Sequence, residues 1–205
     1  AADDRANCPL VPTPKVYRDC GRWLALANEG EVAIAVGAKA SEPEEYAASR
    51  LRTLVERRYR RRLPILKENE VSDRVRQVLL LGQRATNAWL DRLCDRRNME
   101  LSAASPGEDG FVIETMDDGN RQVVLVGGSN AQGVVFGQNA LLDLLEQRDG
   151  RVQLRQVAVR DWPSLRWRGR PHWRMRVHLA PGVFDSYARY RLNFTDVRDA
   201  DTPDG

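Results

Sequence analysis

Apolar and polar positions along the chain predict a sheet covered by helices. Apolar residues recur at helical spacing in residues 41–63, 85–96 and 130–147. Shorter apolar runs predict strands, and these lie at residues 22–27, 31–36, 75–81, 110–116, 122–126 and 152–159. This mixture of elements predicts an α+β fold, in which a mixed sheet carries helices packed on one face.

Local signals fix several of these elements. Ser41 is a good N-cap and Pro43 falls in the first turn of the first helix, so that helix begins near Ser41. Turn residues at 28–30 predict a hairpin between the first two strands, and those at 117–120 predict a second hairpin. The continuous apolar run at residues 78–81 is typical of a strand that is buried on both faces.

The pattern changes after Pro163. A strand-like stretch around residues 166–173 precedes an amphipathic helix after Pro181, and a strand-like stretch at residues 192–197 follows. Two strands and one helix bury too little surface to form a core. We therefore expect a truncated start of a second domain.

These observations divide the chain into three parts. The predicted parts are an extended lead-in at residues 1–21, an α+β domain at residues 22–163, and a strand–helix–strand segment at residues 164–205.

Composition narrows the possible partners. The 205 residues are 42% hydrophobic and 30% charged, with 32 Lys and Arg against 29 Asp and Glu. Acidic and basic residues are interspersed along the chain, and the one dense basic block, residues 57–62, falls at a helix end where cations are stabilising. No run approaches the roughly 18 apolar residues of a membrane helix. We therefore expect neither a nucleic acid nor a membrane as partner.

Cysteine and histidine usage disfavours metal and cofactor sites. Three cysteines are too few for a disulfide-dense scaffold, although a bridge between Cys8 and Cys20 stays open, and Cys94 falls in a helical pattern. Only two histidines and no Cys-x-x-Cys pair are present, so we expect no metal and no cofactor. The first residues lack a methionine and an apolar signal core, which is typical of a mature exported chain. We therefore expect a secreted or periplasmic protein.

Two stretches have alternative interpretations. The glycine-rich residues 127–133 lead from a strand into a helix, where backbone N–H groups can bind phosphate. Their spacing fits no nucleotide-binding fingerprint, so a tight turn is favoured. Residues 162–178 are rich in Trp, Arg and His, which suits either a domain interface or a sugar site. The acids Asp196, Asp199 and Asp201 could serve glycoside hydrolysis, but a solvated loop is favoured.

Three segments resemble one protein family. They are residues 131–145, residues 159–169 and residues 187–193. The first has a small-residue and aromatic pattern at a helix start, the second an Asp-Trp-Pro turn before Arg-Gly, and the third a Leu-Asn entry to a strand. The set is similar to the domain that precedes the catalytic barrel in family 20 β-N-acetylhexosaminidases and in the related family 84 and 67 glycoside hydrolases. The resemblance extends over residues 9–199.

The resemblance implies a function. The chain would be the non-catalytic N-terminal domain of a secreted glycoside hydrolase that acts on glycans such as N-acetylhexosaminides. It would pack against the catalytic barrel of the same parent protein, of which residues 164–205 would form strand one, helix one and strand two of a (β/α)8 barrel. The catalytic acids of this group follow the fourth barrel strand, so the resemblance places no catalytic residue in this chain and implies that the chain alone is inactive.

The resemblance also suggests substrate-binding candidates. Family 20 members carry a sugar-binding arginine at the end of barrel strand one, and Arg176 falls near that position. His172, Trp173 and Arg174 are weaker candidates. The aspartate that accompanies the arginine in the family is missing here, and Pro171 is unusual inside a strand. The alternative function is a stand-alone carbohydrate-binding or protein-interaction module.

Overall fold

A computed structural model describes residues 4–172 and 181–197, with side chains described for residues 4–169 and 185–193. The strands along these residues are β1 (Val16–Ala25), β2 (Val32–Val36), β3 (Ile65–Lys67), β4 (Gln77–Gly82), β5 (Phe111–Asp118), β6 (Arg121–Gly128), β7 (Leu145–Arg148), β8 (Arg151–Asp161), β9 (Gly169–His172) and β10 (Phe194–Val197). The helices are α1 (Glu42–Tyr59), α2 (Ala88–Arg96), α3 (Ala131–Asp143) and α4 (Pro181–Arg189).

The main sheet is mixed. Its strands follow the order β1-β8-β5-β6-β4-β2-β3, and β7 pairs with β8. Strands β3, β2, β4 and β6 run parallel to one another, with Val36 opposite Leu81. Strands β5, β8, β1 and β7 join by antiparallel pairing, with Ile113 opposite Val126. The predicted mixed sheet and α+β character are therefore confirmed.

Helices cover both faces of this sheet, so the prediction of helices on one face is wrong. Leu79 and Leu81 of β4 pack with α1 and α3, whereas Val78 and Leu80 pack with α2 on the other face. Alternate side chains of a strand point to opposite faces, and all four of these are fully buried. The continuous apolar run of β4 already required cover on both sides.

The start of α1 follows the sequence signals. Glu44 Oε2 accepts hydrogen bonds of 2.7 Å from both the backbone N–H and the hydroxyl of Ser41. Its other oxygen, Oε1, accepts from the backbone N–H of Gln83 at 3.0 Å and from the hydroxyl of Thr86 at 2.5 Å. The fully buried Glu44 carboxylate is therefore satisfied, and it ties the start of α1 to the loop before α2.

Several boundaries and one pairing differ from the predictions. β1 begins at Val16 rather than at residue 22, and it pairs with β8 instead of β2, so the first predicted hairpin is wrong. All five residues of β2 are buried, and this strand obtains parallel neighbours on both sides from β3 and β4. The predicted hairpin at residues 117–120 is confirmed as the β5–β6 pair. Helix α3 ends at Asp143, and the unpredicted strand β7 follows.

The strand, helix and strand predicted after Pro163 are present as β9, α4 and β10. The two strands pair in parallel, with Gly169 opposite Phe194 and His172 opposite Val197. Helix α4 connects them and contacts α3 of the main layer. The segment of β9, α4 and β10 therefore meets the main sheet layer at a junction, whose polar contacts are described below.

Candidate functional site

One polar cluster links the loop before β5 to the starts of β9 and β10. We call Asp109, Arg168 and Asn193 the Arg168 cluster. Arg168 Nη2 lies 2.9 Å from Asp109 Oδ2, and both side chains are largely buried. Asn193 Nδ2 donates to the same aspartate oxygen over 3.2 Å, and the Arg168 backbone N–H donates to Asn193 Oδ1 over 2.9 Å. Each member of the cluster therefore bonds to the other two.

The guanidinium of Arg168 is fixed by further acceptors. Its Nε donates to the carbonyl of Arg191 over 2.7 Å, and its Nη1 donates to the carbonyls of Leu165 over 2.6 Å and of Arg166 over 3.1 Å. All three guanidinium nitrogens thus have an acceptor, which the rigid fork of arginine permits. All of the guanidinium nitrogens of Arg168 are thus hydrogen-bonded within the protein, and these bonds hold residues 165–168 in one conformation.

A second cluster is centred on an ion pair between Asp161 and Arg191. Arg191 Nη1 donates to Asp161 Oδ2, while Arg191 Nη2 donates to the carbonyl of Pro12 over 2.8 Å. Asp161 Oδ1 accepts from the backbone N–H of Lys15 over 2.9 Å. The pair therefore joins the N-terminal segment, the end of β8 and the turn before β10.

This pair is removed from water. The Asp161 side chain is 3% exposed and that of Arg191 is 11% exposed. Burial lowers the pKa of the Arg191 guanidinium to about 10, so it stays charged at neutral pH. Its guanidinium carbon lies 5.2 Å from the centroid of the Phe111 ring. A buried charge of this kind depends on its partner, because water cannot replace it.

Helix α4 meets the sheet layer through matched charges. Arg50 Nη1 lies 2.5 Å from Asp185 Oδ1, and the hydroxyl of Tyr46 donates to the same oxygen over 3.2 Å. Arg189 Nη2 lies 3.0 Å from Asp143 Oδ1. Burial raises the pKa of Asp143, against the lowering effect of Arg189. Carboxylates on both sides of this contact therefore have an arginine on the opposite side.

A cavity of about 350 Å³ opens beside the Arg168 cluster. Its wall includes Glu108, Leu165, Arg166 and Trp167 in addition to the cluster residues. Trp167 and Leu165 are large apolar residues, and they are 67% and 68% exposed. Within the described part of the chain, the exposed Glu108 carboxylate has no hydrogen-bond or ion-pair partner. The cavity is therefore open, and its wall combines polar and apolar side chains.

Of the four residues predicted to bind substrate, His172 alone belongs to the described backbone, at the end of β9 opposite the Arg168 cluster. His172 is the last residue of β9, and its side chain is outside the described residues. Trp173, Arg174 and Arg176 lie outside the described residues altogether. The substrate-binding role of all four stays a prediction.

The start of α3 is closed, as a tight turn requires. Asn130 Oδ1 caps the helix by accepting from the Gly133 backbone N–H over 2.9 Å. A Cβ atom on Gly133 would lie 2.1 Å from the carbonyl oxygen of Gly110, so the backbone of Gly110 covers this helix end. The arrangement supports the turn interpretation over a phosphate site.

The described residues contain no disulfide, no cluster of metal-binding side chains and no helix suited to crossing a membrane. Cys8, Cys20 and Cys94 are all free thiols. Over residues 4–172 and 181–197, no three side chains of His, Cys, Asp or Glu come together in a way that could hold a metal ion. Among the helices described, none has both the length and the apolar character for crossing a bilayer.

Four residues of the junction lie in segments that the sequence analysis singled out for the family resemblance, although none of the four was predicted as a site residue. Arg191, Asn193, Arg168 and Asp161 all belong to the segments that carry the family resemblance. Asp109 was missed, because it lies in a loop without periodicity and its partner Arg168 is distant in sequence. A charged residue that becomes buried only through a partner far along the chain gives no local signal.

Comparisons with known proteins agree on the fold. Residues 7–162 match the family model described as glycosyl hydrolase family 20, domain 2. A search of curated proteins found no match. The structure of the family 20 exo-β-N-acetylglucosaminidase from Vibrio harveyi, in complex with N-acetylglucosamine, has a TM-score of 0.58 and 16% identity, covering 95% of this chain and 26% of that one.

Two further solved structures are similar. The family 20 β-N-acetylhexosaminidase from Streptomyces coelicolor A3(2) has a TM-score of 0.62 and 16% identity, covering 92% of this chain and 34% of that one. The protein CpGH84B has a TM-score of 0.62 and 19% identity, covering 94% of this chain and 30% of that one. The chain thus spans 26% to 34% of the length of these three structures.

Proposed function

Because the chain belongs to the domain 2 family of family 20 glycosyl hydrolases, we propose that it is the non-catalytic N-terminal domain of a secreted glycoside hydrolase. The role of this domain is to pack against the catalytic barrel of the same parent protein and to hold that barrel in position. The parent acts on glycans, with N-acetylhexosaminides as the substrate class, in line with the activities named for two of the similar structures.

In this proposal, residues 164–205 are the start of a (β/α)8 barrel. The parallel pairing of β9 with β10 through α4 supports it, because strand, helix and parallel strand form the repeating unit of such barrels. The similarity to the Vibrio harveyi structure covers 95% of this chain, which is more than the family 20 domain alone. The remaining barrel strands and helices would supply the core that this segment lacks.

The position of the two junction clusters is the observation that carries the packing role. Arg168 immediately precedes β9, and Arg191 and Asn193 immediately precede β10, so both clusters lie at the N-terminal ends of these strands. Barrel enzymes perform their chemistry at the C-terminal ends of the strands. A domain bonded to the N-terminal ends fixes the barrel and leaves the opposite ends open to substrate.

The junction carboxylates support a non-catalytic role. Glycoside hydrolysis requires a carboxylic acid that protonates the leaving oxygen, together with a second carboxylate or, in substrate-assisted enzymes, the acetamido group of the sugar. Asp109 and Asp161 are instead paired with Arg168 and Arg191 and are largely withdrawn from solvent. We therefore expect the chain alone to release no 4-nitrophenol from 4-nitrophenyl N-acetyl-β-glucosaminide, and release in proportion to protein concentration would contradict the non-catalytic assignment.

The packing role is tested by hydrogen exchange on the whole chain. Arg168→Ala removes the ion pair to Asp109 and the bonds to three carbonyls, so we expect the amides of β9 and β10 to exchange at least about tenfold faster, while those of β4 keep their protection. Arg166→Ala is the matched control, because Arg166 is exposed and its side chain stacks on Trp167. Equal exchange in both variants would contradict the role of the Arg168 cluster.

A further inference from the structure

We propose that the cavity beside Trp167 binds the ring of an uncharged sugar. This inference does not depend on the packing role, because it is argued from the described residues that line the cavity. Its volume of about 350 Å³ falls at the lower end of the roughly 300–1,000 Å³ that ligand pockets occupy. A mono- or disaccharide is the size of ligand that such a space accepts.

Trp167 and Leu165 are the large apolar residues in the cavity wall. Both are about two-thirds exposed and both line the cavity, so a ligand in it would contact their apolar surface. The guanidinium carbon of Arg166 lies 5.6 Å from the centroid of the Trp167 ring, a stacking contact that restrains the indole. A flat, restrained indole offers its face to a flat apolar group of a ligand. The C–H face of a pyranose ring is such a group.

The charges around the cavity favour an uncharged ligand. Among the described lining residues, Glu108 and Asp109 contribute two negative charges and Arg166 and Arg168 contribute two positive charges, so these charges balance. A polyanion or polycation would meet one repulsive pair for each attractive pair. Hydroxyl groups both donate and accept hydrogen bonds, so a sugar can donate to the carboxylates and accept from the guanidinium groups.

One polar group in the cavity wall, the carboxylate of Glu108, is available for hydrogen bonds to a ligand. The Glu108 carboxylate is exposed and accepts no hydrogen bond within the part of the chain that the structure describes. Ionised carboxylates make stronger hydrogen bonds than neutral acceptors, so Glu108 is placed to accept from a ring hydroxyl or from an acetamido N–H. Asp109 and Arg168 are already bonded to each other, and this ion pair holds both side chains in place in the cavity wall. Stacking against Trp167 and a bond to Glu108 would together orient the sugar ring.

The test is titration of the whole chain by ligand-observed NMR and calorimetry. The probes are cellobiose, N,N′-diacetylchitobiose and sorbitol. We expect at least one of the disaccharides to bind with a Kd of about 1 mM or below. Sorbitol carries hydroxyl groups without a ring face, so we expect its binding to be at least about tenfold weaker. No disaccharide binding, or equal binding of sorbitol, would overturn the proposal.

Variants locate the site. Trp167→Ala removes the stacking wall, and we expect it to weaken disaccharide binding about tenfold, whereas Trp167→Phe retains an aromatic face and most of the affinity. Tyr46→Ala is the matched control, because it also removes an exposed aromatic side chain but lies on α1 outside the cavity. Circular dichroism confirms that each variant is folded. Unchanged binding in Trp167→Ala, or an equal loss in Tyr46→Ala, would place the sugar elsewhere and refute the inference.

Discussion

Replacing Arg191 with methionine tests whether the buried ion pair holds the junction together. The change keeps a long apolar stem beside Phe111 and removes the guanidinium that contacts Asp161. Asp161 would stay buried at 3% exposure with its negative charge unpaired. The perturbation therefore removes one charge and leaves the surrounding apolar packing in place.

The expected loss of stability follows from the contacts. Removing one partner of a buried pair typically costs about 3–5 kcal/mol. Asp161 keeps one hydrogen bond, from the Lys15 backbone N–H at 2.9 Å, so we expect the lower end of that range, about 3 kcal/mol. With a urea m-value of about 2 kcal/mol per molar, the unfolding midpoint should fall by about 1.5 M.

Urea unfolding followed by far-ultraviolet circular dichroism measures this loss. Arg96→Met is the matched control, because Arg96 is 55% exposed and its pair with Asp118 lies at the surface, where a loss below about 1 kcal/mol is expected. In the double variant Asp161→Asn with Arg191→Met, no buried charge remains, and most of the stability should return. The reasoning fails if Arg191→Met costs no more than Arg96→Met, or if the double variant is as unstable as the single one.

Two further predictions concern the sheet layer. Burial raises the pKa of the Cys94 thiol from 9.0 to about 11, so the unfolded chain loses this proton first and stability falls as pH rises between these values. Urea unfolding should show a loss of about 1 kcal/mol between pH 8 and pH 10 from this thiol, and a Cys94→Ala variant with the same pH slope as the parent chain would disprove it. Gly133→Ala places a Cβ atom 2.1 Å from the Gly110 carbonyl oxygen and should cost about 3 kcal/mol or more in thermal unfolding. Gly150→Asn, at a φ of 74° in open space, should cost less than about 1 kcal/mol, and similar losses in both variants would contradict the close approach.

The elements that the sequence predicts correctly are those with local causes. The N-cap at Ser41 and the turn at residues 117–120 act within a few residues, and both occur where expected. The apolar run at residues 78–81 also indicated a strand with both faces buried. That signal contradicted the expectation of helices on one face only, and the position of α2 shows that the local signal was the better guide.

The elements that the sequence does not predict depend on distant partners. Strand β1 pairs with β8, more than 120 residues away along the chain, so the turn at residues 28–30 could not reveal its neighbour. Strand β3 has only three residues and lies at the edge of the sheet, where periodicity has too few positions to be seen. Asp109 is likewise recognisable only once Arg168 has been brought beside it.

The antiparallel pairing of β1 with β8 has a consequence for how such a layer spreads among enzymes. Val16, where the chain enters the sheet, lies opposite Arg160, where it leaves, so entry and exit are separated by about one interstrand spacing of 4.8 Å. A domain whose first and last residues lie close together can be inserted into another polypeptide, or deleted from it, without moving the flanking residues apart. Inserting or removing this layer therefore changes little in the path of the backbone on either side of it.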